Sequence, residues 1–357
     1  MASDAGNGTP SYSVGQLDAE RDYVNSSEQS PRWLLSAHAI ALRAAARLSF
    51  GLVNRSASAA TETIWLDSTL GEWQGKQMIS VNIYVPPRER EGSNSKKGRP
   101  AIINFHGGGF VLGQGTDDAV WADALMTGLD AVVFSVNYRL APGYPYPTPP
   151  EDCVDAITQI SSLADKYGVD TNRIILSGFS AGATLALSSW VILQKPETWG
   201  YQLPNSLPQI AGIVLFYPLL DWTVDRPTKR KTCTRPDLTL PSSLTDIFDA
   251  SYMYPSIPRS EKSDPRLSPG LMPDCMLDQL APIHLCLCEY DMLLAEGQEF
   301  TRKIIARGKQ ANVRVVNGEP HAWDKLSTIT PKESVGIEYD AAIEAMKEWV
   351  IVEQSSI

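Results

Sequence analysis

The chain has 357 residues, 43% hydrophobic and 20% charged, the balance of an ordinary soluble protein long enough to bury a large core in one decorated domain or two. Its net charge of −10 and pI near 5.0 argue against a nucleic-acid or anionic-membrane partner, because those surfaces attract clustered Lys and Arg. Five cysteines, Cys153, Cys233, Cys275, Cys286 and Cys288, show neither CxxC spacing nor disulfide density, so reduced, mostly buried thiols are expected, with no metal site and no organic cofactor.

Residues 1–30 lack a basic start followed by an apolar core, so no secretory signal is expected and the cytoplasm is the expected location. The apolar stretch Trp33–Val53 carries His38, Arg43 and Arg47. Two arginines at mid-span are costly in a bilayer, which predicts an amphipathic helix with both on one face and no stable membrane insertion. Adsorption to a membrane surface is the alternative.

From about residue 60 onward, β-rich runs alternate with helical patterns. The runs are ETIWL, ISVNIYV, AIINF, AVVFSV, RIILSG, IAGIVLFY, IHLCLCEY and VRVVNG. Helices are predicted over Asp117–Thr127, Pro150–Tyr167, Ala181–Leu193, Leu294–Arg307 and Gly336–Val352. This alternation predicts an α/β fold, a mostly parallel eight-stranded sheet with helices on both faces. Unbroken apolar runs suit strands buried on both sides. The short connection between the first two strands predicts an antiparallel start.

Two segments fall outside this rhythm: residues 1–58, a tail plus the first helix, and the Pro-, Ser- and Thr-rich insertion 221–270 after the sixth strand. A structureless insertion of that length is usually functional, and over the carboxyl edge of the sheet it would form a lid or cap. The expected division is a tail and cap helix (1–58), a catalytic core (59–220), a cap insertion (221–270) and the rest of the core (271–357). The basic cluster Lys229–Lys231 reads as a solvated loop, and Glu89–Gly98 as a polar surface loop.

The run RIILSGFSAGATLALSSWVI reads strand, sharp turn, helix, centred on Gly178-Phe179-Ser180-Ala181-Gly182. In such a G-x-S-x-G elbow the serine backbone is strained, and the residues two before and two after must be small. Ser180 is therefore the candidate nucleophile, and a serine hydroxyl needs a neighbouring base. Of the four histidines, His38 lies in the N-terminal helix and His284 opens a strand at its amino end. Sites in such sheets form beyond the carboxyl ends, which selects His321, just past the last strand. Asp291 ends the run LCLCEYD on the same edge and is the preferred partner to orient the imidazole, with Glu289 and Asp324 as alternatives.

The stretch NFHGGGFVLGQG leaves the third strand with three consecutive glycines, Gly107 to Gly109. Acyl transfer through Ser180 creates an oxyanion, and backbone amides reach it only where no side chain intervenes. Gly107 and Gly108, with the amide of Ala181, are the expected oxyanion hole. A side chain at either glycine is expected to cost turnover far more than stability. His106 is read as a structural hydrogen-bonder of that loop. A dinucleotide loop is disfavoured, since no GxGxxG register follows the strand and no acid ends the next one.

These pieces, HGGGF (106–110), YRLAPGYPYPTPPED (138–152), GFSAG (178–182), DPRLSP (264–269), EYDML (289–293) and HAW (321–323), resemble the hormone-sensitive-lipase (GDXG-type) branch of the α/β-hydrolase family. The resemblance implies a Ser/Asp/His carboxylic ester hydrolase acting on small-molecule esters, with a cap built from the N-terminal segment and an insertion after the sixth strand. The chain departs from the family's frequent pattern at Phe179, Gly143, Tyr144 and Ala295, none of them a catalytic atom. Phe179, Trp222 and Trp323 are candidates for substrate contact; the two tryptophans would suit a large flat substrate of a biosynthetic hydrolase or thioesterase. A plant branch that lost the histidine serves as a hormone receptor, a non-catalytic alternative that His321 opposes.

Overall fold

The computed structural model describes residues 30–87, 98–325 and 332–351. The N-terminal tail to residue 29 and all but Gly98 of the loop expected at Glu89–Gly98 lie outside the described residues. Eight strands form one sheet: β1 Glu62–Leu66, β2 Ile79–Tyr84, β3 Arg99–Phe105, β4 Val132–Asn137, β5 Val169–Phe179, β6 Ile210–Phe216, β7 Ile283–Tyr290 and β8 Ala311–Pro320. Their spatial order is β1-β2-β4-β3-β5-β6-β7-β8. β2 runs antiparallel to both β1 and β4, and every later pairing is parallel.

The unbroken apolar runs have a direct structural reason. Neighbouring residues of one strand enter opposite cores: Ile102, Val133, Ile175 and Val214 face one layer, while Ile103, Phe134, Leu176 and Leu215 face the other. Side chains of a strand alternate faces, so a sheet covered twice needs apolar residues at every position. The first layer is closed by helices α2 (Ala119–Leu129) and α8 (Glu333–Ile351), through Trp121, Tyr339 and Ile343. The second is closed by α3 (Thr148–Ser162), α4 (Ala181–Gln194) and α7 (Leu294–Ala306).

Helix α1 (Arg32–Val53) lies against the helical part of the 221–270 insertion. Leu35 and Ala39 are buried beneath it, and Arg43 donates to the carbonyls of Val111 and Ala141, both at 2.8 Å. The insertion itself is not structureless: it folds into α5 (Arg226–Thr232) and α6 (Ser242–Tyr252). Nor is the basic cluster a solvated loop. Lys229 is 5% exposed, donates to the Asp221 carbonyl at 2.5 Å and pairs with Glu296 of α7. Proximity in sequence to Arg230 and Lys231 concealed an acid 67 positions away.

The crossover from β4 to α3 is held by a buried ion pair. Arg139 contacts both carboxylate oxygens of Asp152 at 2.5–3.0 Å and also donates to Ser68 Oγ and the Trp73 carbonyl. Removing one partner strands the other charge in the core, which costs about 3–5 kcal/mol. Asp152→Ala is expected to lose stability of that order in urea titration, with an unchanged cooperative transition.

Candidate active site

Ser180 stands between the end of β5 and the first residue of α4, with φ 51 and ψ −118, a conformation L-residues rarely adopt. Its amide donates to the Phe216 carbonyl of β6 at 2.9 Å, which pins the elbow to the neighbouring strand. A Cβ on Gly178 would strike the backbone of Gly182, and one on Gly182 would strike the carbonyl of Phe105 at the end of β3. Small residues are thus required because β3, β5 and α4 meet in backbone contact. Of five non-glycine residues with positive φ among those described, three lie at one cavity, Ser180, Tyr217 and Ala322, and a fourth, Phe110, follows the glycine loop. Such conformations persist where surrounding structure over-determines them.

The structure brings together the three residues singled out in the sequence. His321, one residue past β8, places Nε2 2.8 Å from Ser180 Oγ, and its Nδ1 lies 2.6 Å from Asp291 Oδ2. Asp291 follows β7 directly and its other oxygen accepts from the Leu293 amide at 3.1 Å. Both His321 and Asp291 are buried. The alternative acids are engaged elsewhere: Glu289 accepts from the Gly318 amide, and Asp324 accepts from the hydroxyls of Tyr217 and Tyr339.

The glycine loop runs alongside the serine. A Cβ on Gly107 would lie 3.1 Å from the Phe179 carbonyl and 3.6 Å from Ser180 Cβ. Among the described residues no acceptor takes the amides of Gly107, Gly108 or Ala181, so all three remain available as donors. His106 is fully buried, stacks on Tyr138 at 4.3 Å between ring centroids, and donates from Nδ1 to the Gly107 carbonyl at 2.7 Å. Burial pushes its pKa down, so the imidazole is neutral and shapes the loop. Gly108 departs from expectation. With φ +113 and a would-be Cβ against the Leu112 carbonyl, it is needed for the turn itself, so a substitution there costs stability as well. His284 is buried at the amino end of β7 with its pKa pushed down to about 4, remote from Ser180 in role and in edge.

Above Ser180 lies a cavity of about 140 Å³. Its walls include Phe50 of α1, Leu244 and Phe248 of α6, Leu112, Phe179 and Tyr217. A side chain on Gly109 would run into the Phe248 ring, so α6 rests on the glycine loop. A larger crevice of about 880 Å³, beside Trp199 and Arg266, touches none of the residues around Ser180. Phe179 lines the cavity, whereas Trp222 and Trp323 do not. Trp222 packs against Phe110 and Tyr252, and Trp323, 1% exposed, packs edge-on to Tyr217. Trp222 thus packs the insertion onto the glycine loop, and Trp323 packs beside the end of β6.

Sequence reading missed the polar side of this cavity, formed by Asp117, Asp118 and Lys325. Lys325 Nζ sits 2.7 Å from Asp118, 3.2 Å from Asp324 and 3.7 Å from the Phe179 ring centroid. Burial opposes its charge, but the two carboxylates outweigh burial and hold its pKa above the usual range. No local pattern marks such a set, because its members lie some 200 positions apart. Tyr217 was accessible by the rule that selected His321, since it also follows the carboxyl end of a strand. Among the described residues, no cluster of His, Cys, Asp and Glu could hold a metal ion. Cys153, Cys233, Cys286 and Cys288 are buried free thiols, and Cys275 is exposed.

Asp117 is 8% exposed; burial, then the neighbouring Asp118, pushes its pKa up to about 7 from the ordinary 3.8. The folded chain therefore binds this proton more tightly than the unfolded chain. Its contribution to stability falls as pH rises between those two values. Asp117→Asn keeps an acceptor for the Gln114 amide and is expected to gain about 1–3 kcal/mol on the wild type between mildly acidic and mildly basic pH. Urea midpoints across that range measure the difference, and parallel curves for the two proteins contradict it.

Comparison with known proteins agrees with this architecture. Residues 102–325 match the family model described as the alpha/beta hydrolase fold. The chain is 29% identical over 254 residues to Esterase LipI of Mycobacterium tuberculosis, covering 71% of this chain and 73% of that one. It is 28% identical over 297 residues to Lipase 2 of Moraxella sp., covering 77% of this chain and 66% of the lipase. The esterase of Pyrobaculum calidifontis superposes with a TM-score of 0.71 at 25% identity, over 89% of this chain and 94% of that structure. A family match over more than half of the residues, on a sheet of this order, means that the chain belongs to the α/β-hydrolase fold family, in its hormone-sensitive-lipase-like branch.

Proposed function

We propose that this carboxylic ester hydrolase works through an acyl-enzyme on Ser180, with His321 as base, Asp291 as its orienting acid and the amides of Gly107, Gly108 and Ala181 as the oxyanion hole. The observation that carries the reading is the unbroken path from Ser180 Oγ to His321 Nε2 at 2.8 Å, and from His321 Nδ1 to Asp291 at 2.6 Å. Donation to Asp291 from Nδ1 leaves Nε2 as the acceptor, the tautomer needed to take the serine proton.

In the first half-reaction Ser180 Oγ attacks the ester carbonyl and its proton moves to His321 Nε2. The carbonyl oxygen becomes an anion held by amides that need no reorganisation, each worth about 2.7–4 kcal/mol of barrier. His321 then protonates the departing alcohol, and the acyl group remains on Ser180. A water enters, gives its proton to His321 and releases the acid by the same path in reverse. The imidazolium formed in each half-reaction is stabilised by the buried carboxylate of Asp291.

The cavity supports a small acyl group. Its volume of about 140 Å³ is close to the roughly 150 Å³ space that takes up a benzene-sized molecule. Phe50, Leu244 and Phe248 give it an apolar wall, and α1 with residues 221–270 supplies the cap. With Trp222 and Trp323 packed away from the cavity, short esters fit the site better than a large flat intermediate.

Ser180→Ala is expected to reduce p-nitrophenyl acetate turnover by at least about a thousandfold while the thermal transition stays in place. Turnover retained in that variant would sink the proposal. Gly107→Ala is the sharper test of the oxyanion hole, because its Cβ lies toward Ser180 and its tightest backbone contact, the Phe179 carbonyl at 3.1 Å, is milder than the collision that Gly108 would meet at the Leu112 carbonyl. It is expected to lower kcat by about a hundredfold with a smaller fall in melting temperature than Gly108→Ala. Gly108→Ala is expected to lose both.

A further inference from the structure

The outer face of α1 is apolar along its whole length. Trp33, Ile40, Leu48 and Leu52 are 72%, 65%, 76% and 58% exposed, four of the large apolar side chains left open among the described residues. They recur at helical spacing, so one stripe of the helix carries them together with small alanines. Soluble proteins rarely leave such a contiguous stripe open without a surface to meet it. The inner face is already satisfied: Leu35 and Ala39 are buried, Arg43 is bonded to Val111 and Ala141, and Phe50 lines the cavity above Ser180.

Charge identifies what the open stripe meets. In a chain of net charge −10, residues 32–55 hold four arginines and not one acid. Arg32 and Arg43 are spent on carbonyls of the core. Arg47 and Arg55 are exposed, with no partner among the described residues. An apolar helical stripe ending in a tryptophan and flanked by exposed cations matches the boundary of an anionic bilayer, where apolar side chains sink below the headgroups and arginines stay among the phosphates. A second copy is a poorer occupant, because a symmetric contact would set two acid-free, arginine-bearing faces against each other. The chain's overall charge conceals this local reversal.

We propose that the outer face of α1 docks on the surface of an anionic lipid bilayer, without crossing it, and so holds the wall of the Ser180 cavity against the membrane. None of the described helices is long and apolar enough to span a bilayer, which agrees with surface docking. Docking is read without any substrate, so it stands or falls independently of the catalytic reading.

The test is co-sedimentation of the full chain with vesicles of phosphatidylcholine containing about 30 mol % phosphatidylserine, beside vesicles of phosphatidylcholine alone. Binding is expected to the anionic vesicles and to fall about tenfold in Ile40→Glu/Leu48→Glu, and again in Arg47→Glu/Arg55→Glu. Unchanged p-nitrophenyl acetate turnover in both variants shows that they are folded, since neither pair touches the site. Absence of wild-type binding overturns the proposal, as does binding that both variants retain. A wild-type dimer in gel filtration that Ile40→Glu/Leu48→Glu converts to monomer, without vesicle binding, overturns it in favour of self-association.

Discussion

The site rests on a backbone contact. Gly182, at the start of α4, lies so close to the Phe105 carbonyl at the end of β3 that no side chain fits between them. That approach locks the helix N-terminus against the strand whose continuation is the glycine loop. Ser180, caught in the turn with φ 51, stands beside that loop with its hydroxyl on His321. Gly107 lies beside the serine, and Gly108 lines the same cavity, as a consequence of how β3, β5 and α4 close on each other. His106, neutral and stacked on Tyr138, keeps the loop from collapsing into the space the glycines leave.

Around this contact the cavity is built from parts distant in the chain. Phe50 comes from the N-terminal helix, Leu244 and Phe248 from the insertion, and Tyr217 from the end of β6. Charges in it are balanced locally: Lys325 bridges Asp118 and Asp324, and the latter is satisfied by two tyrosine hydroxyls. Among the described residues Asp117 has no ion-pair partner, and burial, then the neighbouring Asp118, raises its pKa. Lys229 and Glu296 perform the same neutralisation where the insertion meets α7. Ionic ties thus join the insertion to the core, while the wall facing the serine stays apolar.

Much of the fold was legible because its signals are local. A doubly covered sheet demands apolar residues at every strand position, and the runs IINF, VVFSV and IVLFY display that demand openly. The elbow and the glycine loop were legible for a similar reason, since a missing side chain is visible wherever it occurs. His321 and Asp291 were accessible as candidates through their places just after strands, with Asp291 preferred over Asp324, and the hydroxyls of Tyr217 and Tyr339 account for what Asp324 does instead. Gly108 was misjudged because its turn conformation, φ +113, is a property of the loop path and leaves no trace in the triplet GGG. Trp222 and Trp323 were misjudged because adjacency in sequence to a motif says nothing of the direction in which a ring packs.

By itself the sequence determined the strand and helix rhythm, the two extra segments and the backbone-bare positions, all consequences of periodicity and steric need within a few residues. Only the tertiary structure decided which groups meet across the chain. Ser180 and His321 are bonded across 141 positions, and Lys325 pairs with Asp118 across a still longer interval. Neither pairing has a local steric signature, since a hydrogen bond depends on where two atoms arrive in space. The lining of the cavity, the burial of Lys229 and the open stripe of α1 belong to the same category: each is set by which surfaces the packed core covers and which it leaves to solvent.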